Sequence, residues 1–181
     1  MIPLRDNVRI YSFPVITLTL ILINCYLFYR ELTFPADLTD QIIENYGLIP
    51  ARFITAVTTN PFDYRAYIPF FTCLFLHGGW LHIIGNLWYL WLFGRSSEAC
   101  LGHLTYLKLY LLCGLAAGLG QIIADPASPL PLIGASGAIS GILGSYIICF
   151  PWAKITMLVP LFIIFWTIDV PAIIFVGLWF Y

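Results

Sequence analysis

Charge is what this sequence lacks most. Only 9% of its 181 residues are Asp, Glu, Lys or Arg, while 61% are hydrophobic. An average soluble domain carries about 25% charged residues, so this chain could not cover a water-exposed surface. The composition therefore predicts an integral membrane protein. The formal net charge is only −1 and the sequence has no basic cluster or polybasic tail, which argues against nucleic acid as a partner.

Metal-binding patterns are also missing. The five cysteines are scattered, mostly within apolar runs, and none of them has the paired spacing of a metal site. We therefore expect no metal and no organic cofactor, and we interpret the cysteines as buried membrane thiols. They are Cys25, Cys73, Cys100, Cys113 and Cys149.

Long apolar runs take the place of the missing charge. Four of them cover about residues 13–29, 68–93, 106–124 and 133–150, close to the roughly 20 residues that a spanning helix needs. A fifth begins after Pro171, and the sequence stops inside it. The pattern predicts an all-α, polytopic transmembrane helical bundle, with residues 1–181 as a single domain. We interpret the incomplete fifth helix as a C-terminal truncation.

Polar connections join these spans. The longest, at 30–68, mixes charged and apolar residues, which favours a partly structured loop in the membrane interface over a disordered linker. Shorter polar turns are expected at 94–105 and 125–131.

The basic residues favour a cytoplasmic N-terminus. In that orientation five of them lie inside, and the other three lie in the long connection outside, where they count for less. The five are Arg5, Arg9, Arg95, Lys108 and Lys154. Ser136 then lies near the outer end of the fourth span, a few residues below the surface, where water can reach it.

Three polar side chains within the spans are candidates for chemistry. His82 and Asn86 are four residues apart, so they share one helix face, and Ser136 lies in the small-residue sequence Gly-Ala-Ser-Gly. A serine supplies a nucleophile, while histidine and asparagine supply hydrogen-bond donors for an oxyanion. The alternative for the pair is helix packing through interhelical hydrogen bonds, worth about 1 kcal/mol.

Small residues around Ser136 also suit helix packing. Ser140 is a competing nucleophile, which we rank below Ser136. Four glycines are assigned to close helix contacts rather than to chemistry. They are Gly114, Gly118, Gly141 and Gly144.

The sequence offers no convincing base for the serine. His103 falls in the predicted cytoplasmic turn, too far from an outer-side serine. His77 suits a hydrogen-bond donor at the outer part of the second span. His82 could act as the base, but it would then be lost as an oxyanion donor.

In combination these residues resemble the rhomboid family of intramembrane serine proteases. The similar segments are HGGWLHIIGN at 77–86, Phe93-Gly94 with Glu98 and Gly102, GASG at 134–137, and Pro171 to Trp179. Arg65 is similar to the arginine of the family's first loop, although Tyr64 stands where a tryptophan is common. The resemblance covers nearly the whole chain and is bacterial in type.

The resemblance implies a six-helix core, of which about five helices are present. It makes Ser136 the nucleophile and gives the oxyanion site to His82, Asn86 and the backbone N–H of Ser136. His77 would help to shape the cavity. The family's base histidine lies on the sixth helix, before which this sequence ends. We therefore expect the chain as it stands to hydrolyse peptides poorly and the parent protein to be active.

The predicted function is thus an intramembrane serine endopeptidase that cleaves transmembrane proteins through a Ser–His dyad, with the bilayer as its surroundings. Its expected location is the bacterial inner membrane. The alternative is a non-catalytic rhomboid-like protein that binds transmembrane clients in the same cavity. A small transporter or channel fragment is a weaker possibility, because repeated halves and charged pore residues are missing.

Overall fold

Helices dominate the structure. The computed structural model describes residues 2–161 and 164–180, and the predicted rhomboid-like helical bundle is confirmed. The helices are α1 (Val15–Thr33), α2 (Ala36–Tyr46), α3 (Pro50–Thr59), α4 (Pro69–Thr72), α5 (Trp80–Leu101), α6 (His103–Ala124), α7 (Ser136–Cys149) and α8 (Ala172–Phe180). Single 3₁₀ turns lie at Tyr64–Ala66 and Cys73–Phe75, and the strands are β1 (Ile2–Asp6), β2 (Lys154–Leu161) and β3 (Ile164–Pro171).

Two of the described helices, α1 and α6, are long and apolar enough to cross a membrane. The segment Tyr64–Phe75 together with α5 is a third candidate, but these two parts meet at an angle of 81°. The prediction of one continuous span at 68–93 is therefore wrong. The break falls at Gly78 and Gly79, and Gly79 has a φ of 150° that residues with a side chain rarely adopt.

The end of α5 also differs from the prediction. The polar turn expected at 94–105 is helical except at Gly102, which has a φ of 77°. Three of its polar residues are shielded from water, because Ser96, Ser97 and Glu98 are buried. Since these side chains find partners inside the bundle, their polarity does not end the helix.

Glu98 joins three helices through its carboxylate, which is 1% exposed. The backbone N–H groups of Ile16 and Thr17 donate to it at 2.8 Å, and the Thr17 hydroxyl donates at 2.7 Å. His103 Nδ1 at the start of α6 lies 2.6 Å from Oε1. The carboxylate thus satisfies N–H groups that the first turn of α1 leaves unpaired, where the helix dipole also favours negative charge.

Close helix contacts place α7 between α5 and α6. A Cβ at Gly114 or Gly118 would lie 2.7 Å from a leucine side chain, and one at Gly141 would overlap Cys113. The packing role is confirmed for these three glycines. It is wrong for Gly144, whose Cβ position has no neighbour within 4 Å.

A small antiparallel sheet, which was not predicted, lies beside the bundle in the order β1–β2–β3. It is held at its base by Asp6, which accepts hydrogen bonds from Ser96 Oγ at 2.9 Å and from the Tyr146 hydroxyl at 3.0 Å. Arg95 lies 3.3 Å from the same carboxylate. The N-terminal strand is therefore fixed to α5 and α7 at the end of the bundle away from Ser136.

A disulfide joins Cys100 at the end of α5 to Cys149 at the end of α7, with their Cα atoms 6.6 Å apart. The interpretation of all five cysteines as thiols is wrong for this pair. The other three, Cys25, Cys73 and Cys113, are free. Sequence spacing could not reveal the pairing, because helix packing brings together residues 49 positions apart.

Candidate active site

A cleft of about 270 Å³ opens between α5, α7 and α8. It holds three of the four candidate site residues, namely His82, Asn86 and Ser136. The complete lining is Leu81, His82, Gly85, Asn86, Tyr89, Ser136, Ile139 and Trp179. The fourth candidate, His77, lies behind His82.

Ser136 is the first residue of α7 and is exposed in the cleft. Because α7 has only 14 residues, it rises about 21 Å, less than the roughly 30 Å of a hydrocarbon core.

The loop before α7 is fixed by a hydrogen bond of 2.7 Å from the Gly134 N–H to the Cys73 carbonyl. A paired bridge between Leu48 and Leu132 holds it further. The serine is therefore positioned by backbone contacts with two other segments.

Gly134 brings this loop against the residues on α5. Its φ of 106° lies in the region that favours glycine. A Cβ at this position would lie 2.5 Å from His82 Nε2 and 3.3 Å from Asn86 Nδ2. The histidine and the amide therefore both reach the turn that leads into Ser136.

His82 has one ring nitrogen committed to the backbone. The Gly78 N–H points at Nδ1 over 3.4 Å, a long hydrogen bond. In a neutral imidazole whose Nδ1 accepts, the proton is on Nε2. The nitrogen that faces the Gly134 turn is then a donor, which favours an oxyanion role for His82 over a base role.

Asn86 supplies a second donor. The residue is 8% exposed, and Nδ2 has no hydrogen-bond partner among the described residues. A buried amide without a partner is uncommon in folded proteins, because each buried polar group tends to be satisfied. An oxyanion in the cleft would supply the missing acceptor.

His77 lies in the break between α4 and α5, not on the helix as predicted. It is buried, and its ring centroid lies 5.1 Å from that of His82. Neither of its ring nitrogens has a partner within the described ranges. Its backbone N–H points at Glu31 Oε2 over 3.4 Å. His77 thus supports the His82 ring from behind.

Sequence reasoning missed Glu31, a buried carboxylate in the last turn of α1. It was assigned to the polar connection at 30–68, whereas α1 continues to Thr33. An acidic residue at membrane depth is itself a signal of function or of a specific partner. The predicted end of the first span at residue 29 hid that signal, and only helix packing brings Glu31 close to His77.

The other two candidates lie outside the cleft. The Ser140 hydroxyl donates to the Ser136 carbonyl at 2.8 Å, a local bond within α7. His103 lies beside Glu98 at the far end of the bundle. Neither residue lines the cleft that holds Ser136.

Apolar side chains form the remaining walls of the cleft. Tyr89 and Trp179 are aromatic neighbours, with ring centroids 6.1 Å apart, and Leu81 and Ile139 lie beside them. On the α6 side, a second cavity of about 180 Å³ reaches Ser136 and includes Gln121. The site therefore has an apolar approach on one side of the serine and a pocket with a polar group on the other.

Known proteins resemble this chain over the same region. A profile of the Rhomboid domain matches residues 64–181. The chain is 35% identical over 74 residues to RHOMBOID-like protein 5 of Arabidopsis thaliana. This matched segment is 41% of this chain and 24% of that protein. It is 39% identical over 74 residues to the rhomboid protease GluP of Bacillus subtilis, covering 41% and 14%. Rhomboid protein 1, mitochondrial, of Saccharomyces cerevisiae is 36% identical over 89 residues, covering 47% and 26%.

These matches span about a quarter or less of the length of each relative. The relatives include a named protease and also organellar and rhomboid-like proteins. With its apolar helices and a family match over most of its length, the chain is an integral membrane protein of the rhomboid family.

Proposed function

We propose that the protein is an intramembrane serine endopeptidase with Ser136 as its nucleophile. The observation that carries the proposal is the shared cleft, which an exposed serine and two hydrogen-bond donors line together. The apolar walls of the cleft suit a substrate segment that leaves the bilayer and enters the cleft. The same single domain would then hold the nucleophile, the oxyanion site and the substrate approach.

The proposed first step is attack of Ser136 Oγ on the carbonyl carbon of the substrate. The hydroxyl proton passes to a base, and the carbonyl oxygen becomes an oxyanion. Three donors would hold that oxyanion, namely His82 Nε2–H, the Asn86 amide and the backbone N–H of Ser136. The last is an unpaired N–H in the first turn of α7, where the helix dipole also favours negative charge.

The second step gives the acyl-enzyme. The C–N bond breaks, the leaving amine takes the proton from the base, and the serine ester remains. Water then attacks this ester, returning a proton to Ser136 and releasing the carboxylic acid. The cavity beside Gln121 is the proposed store of that water.

The base is proposed to be a histidine on a sixth helix, as the family resemblance implies. Of the three histidines in this chain, His82 is used as a donor, His77 is buried behind it, and His103 lies at the far end. The competing function is binding of transmembrane clients without cleavage, which needs no base. The two functions differ in whether Ser136 reacts.

The proposed substrates are transmembrane proteins with residues that weaken their helix near the cut. In a stable helix the peptide bonds are hydrogen-bonded and hidden. We place the cleft on the outer side of a bacterial inner membrane, with the N-terminus in the cytoplasm. The positive-inside distribution of basic residues supports this orientation.

A fluorophosphonate probe should label Ser136 in a form of the protein that includes the sixth helix. The expected product is one phosphonylated serine, located by mass spectrometry of the digested protein. Ser136→Ala should abolish labelling, whereas Ser140→Ala should retain it, because that hydroxyl is bonded within α7. Absence of labelling in a folded wild-type protein would favour the client-binding alternative.

Asn86→Ala should separate the oxyanion role from helix packing. If Asn86 donates to the oxyanion in the transition state, its removal should lower the cleavage rate of a transmembrane substrate by about 10²- to 10³-fold. Because Nδ2 has no partner among the described residues, the thermal midpoint in detergent should change little. A packing residue would give the opposite result, with a lower midpoint from the loss of about 1 kcal/mol and a nearly unchanged rate.

A further inference from the structure

The hairpin of β2 and β3 has one polar and one apolar face. Side chains alternate along a strand, and paired residues share a face. The polar face includes Thr156 and Asp169, joined by a hydrogen bond of 2.8 Å. Opposite it lie the cross-strand pairs Met157–Ile168 and Val159–Trp166. The face of Thr156 and Asp169 also carries Lys154 and Thr167, and it includes four apolar residues, namely Leu158, Pro160, Phe165 and Pro171.

Burial falls along the apolar face from the base of the hairpin toward its tip. Ile155 is 0% exposed and Met157 is 3% exposed, because both belong to the core shared with α8. Exposure rises to 36% at Ile168 and to 62% at Trp166. The same face that packs on the bundle at its base therefore continues past the edge of the bundle.

The exposed part of this face is continuous with other exposed apolar surface. β3 passes directly into α8, where Ile173, Ile174 and Leu178 are exposed. At the end of α7, Trp152 is 75% exposed. The exposed side chains of the hairpin and of α8 therefore form one apolar surface, and such a surface on an integral membrane protein suits contact with lipid.

The backbone decides how deep the hairpin can lie. β3 pairs with β2 on one side only, and no third partner is found within the described residues. Its other edge therefore presents unpaired N–H and C=O groups, which are not tolerated in the hydrocarbon core. Tryptophan is enriched in the headgroup region, where water can satisfy such groups.

We propose that the β2–β3 hairpin lies in the headgroup region of the bilayer, on the side of the bundle opposite Ser136. Its apolar face, with Ile168 and Trp166, rests against lipid, while Thr156 and Asp169 face water. The partner of this surface is the lipid bilayer itself. Since α8 begins at the end of β3 and contributes Trp179 to the cleft, the hairpin also sets the depth at which that wall begins.

Tryptophan quenching in reconstituted vesicles tests this placement. The signal of Trp166 is the difference in emission between the wild-type chain and Trp166→Phe, which keeps an aromatic side chain at the site. Phosphatidylcholine with bromines near the headgroup end of its acyl chains should quench this difference signal most. Bromines near the chain ends and aqueous iodide should both quench it less. Thr167→Ala, on the neighbouring polar-facing position, should leave the pattern unchanged.

Three results would overturn the proposal. Strong quenching by iodide, with little from either brominated lipid, would place the hairpin in water. Stronger quenching by the deep bromines would place it in the hydrocarbon. No quenching by any of the three would mean that Trp166 is covered by protein, such as a second copy of the chain.

Discussion

In the form of the protein that includes the sixth helix, Gly134→Ala should slow the labelling of Ser136 by a fluorophosphonate strongly. The new Cβ would lie 2.5 Å from His82 Nε2 and 2.7 Å from His82 Cε1, in a backbone conformation with a φ of 106°. Either the histidine or the loop must move, and both belong to the proposed site. A displacement of about 1 Å at a catalytic centre can lower the rate by about 10²-fold, so the labelling rate should fall by at least that factor.

The matched control is Gly144→Ala on α7. The Cβ position of Gly144 has open space around it, and alanine is favoured over glycine within a helix by about 1 kcal/mol. This variant should label like the wild type and unfold at the same or a higher temperature. Wild-type labelling of Gly134→Ala would show that the turn does not position the serine as we propose.

Glu98→Gln should be among the most destabilising single-atom changes in this chain. The carboxylate accepts from three donors on α1 and contacts His103. An amide offers one acceptor in place of two, and its NH₂ group would face another donor. Hydrogen bonds to a charged group contribute about 1.5–3 kcal/mol each, so we expect a loss of about 3 kcal/mol in the free energy of unfolding.

Unfolding in detergent, followed by circular dichroism, measures this loss. Glu44→Gln makes the same chemical change at an exposed position of α2, so its effect should stay within about 0.5 kcal/mol. Equal stability of the two variants would contradict the role of Glu98 as the link between α1, α5 and α6. Because Glu98 lies far from the cleft, any residual folded protein should still label at Ser136.

Apolar length predicted α1 and α6 well, because a lipid-facing helix must be apolar along its whole course. The same criterion failed at 68–93, where Gly78 and Gly79 interrupt an apolar run without making it polar. It failed again at 94–105, where Ser96 and Glu98 resemble a water-exposed turn but are buried against other helices. The apolar content of a segment indicates whether it lies in lipid or in water. It does not indicate which other helices bury the polar side chains of that segment.

The β2–β3 hairpin could not be predicted from the sequence, for a related reason. Leu158 and Pro160 interrupt the alternation of polar and apolar residues on β2, so the run at 155–164 lacks a clear period of two. Its pairing with β1 also joins residues about 150 positions apart, as at Ile2 and Leu158. Such contacts are set by the assembled bundle.

The candidate site was more accessible to sequence analysis. The spacing of His82 and Asn86 places them on one face of α5, since residues four apart are neighbours on a helix. That Ser136 meets this face depends on the close packing of α7 between α5 and α6, which sequence spacing alone does not determine. Glu31 and Trp179 come from the distant helices α1 and α8, so their places near the site required the structure.

The disulfide between Cys100 and Cys149 links the redox state of the chain to its orientation in the membrane. In the bacterial inner membrane that we propose, the cytoplasm would keep thiols reduced, whereas the periplasm would oxidise them. With the N-terminus inside, both cysteines would face the reducing compartment, and in living cells the two helix ends would be untethered. With the N-terminus outside, the two cysteines would stay covalently joined. The oxidation state of this pair in cells therefore distinguishes the two membrane topologies.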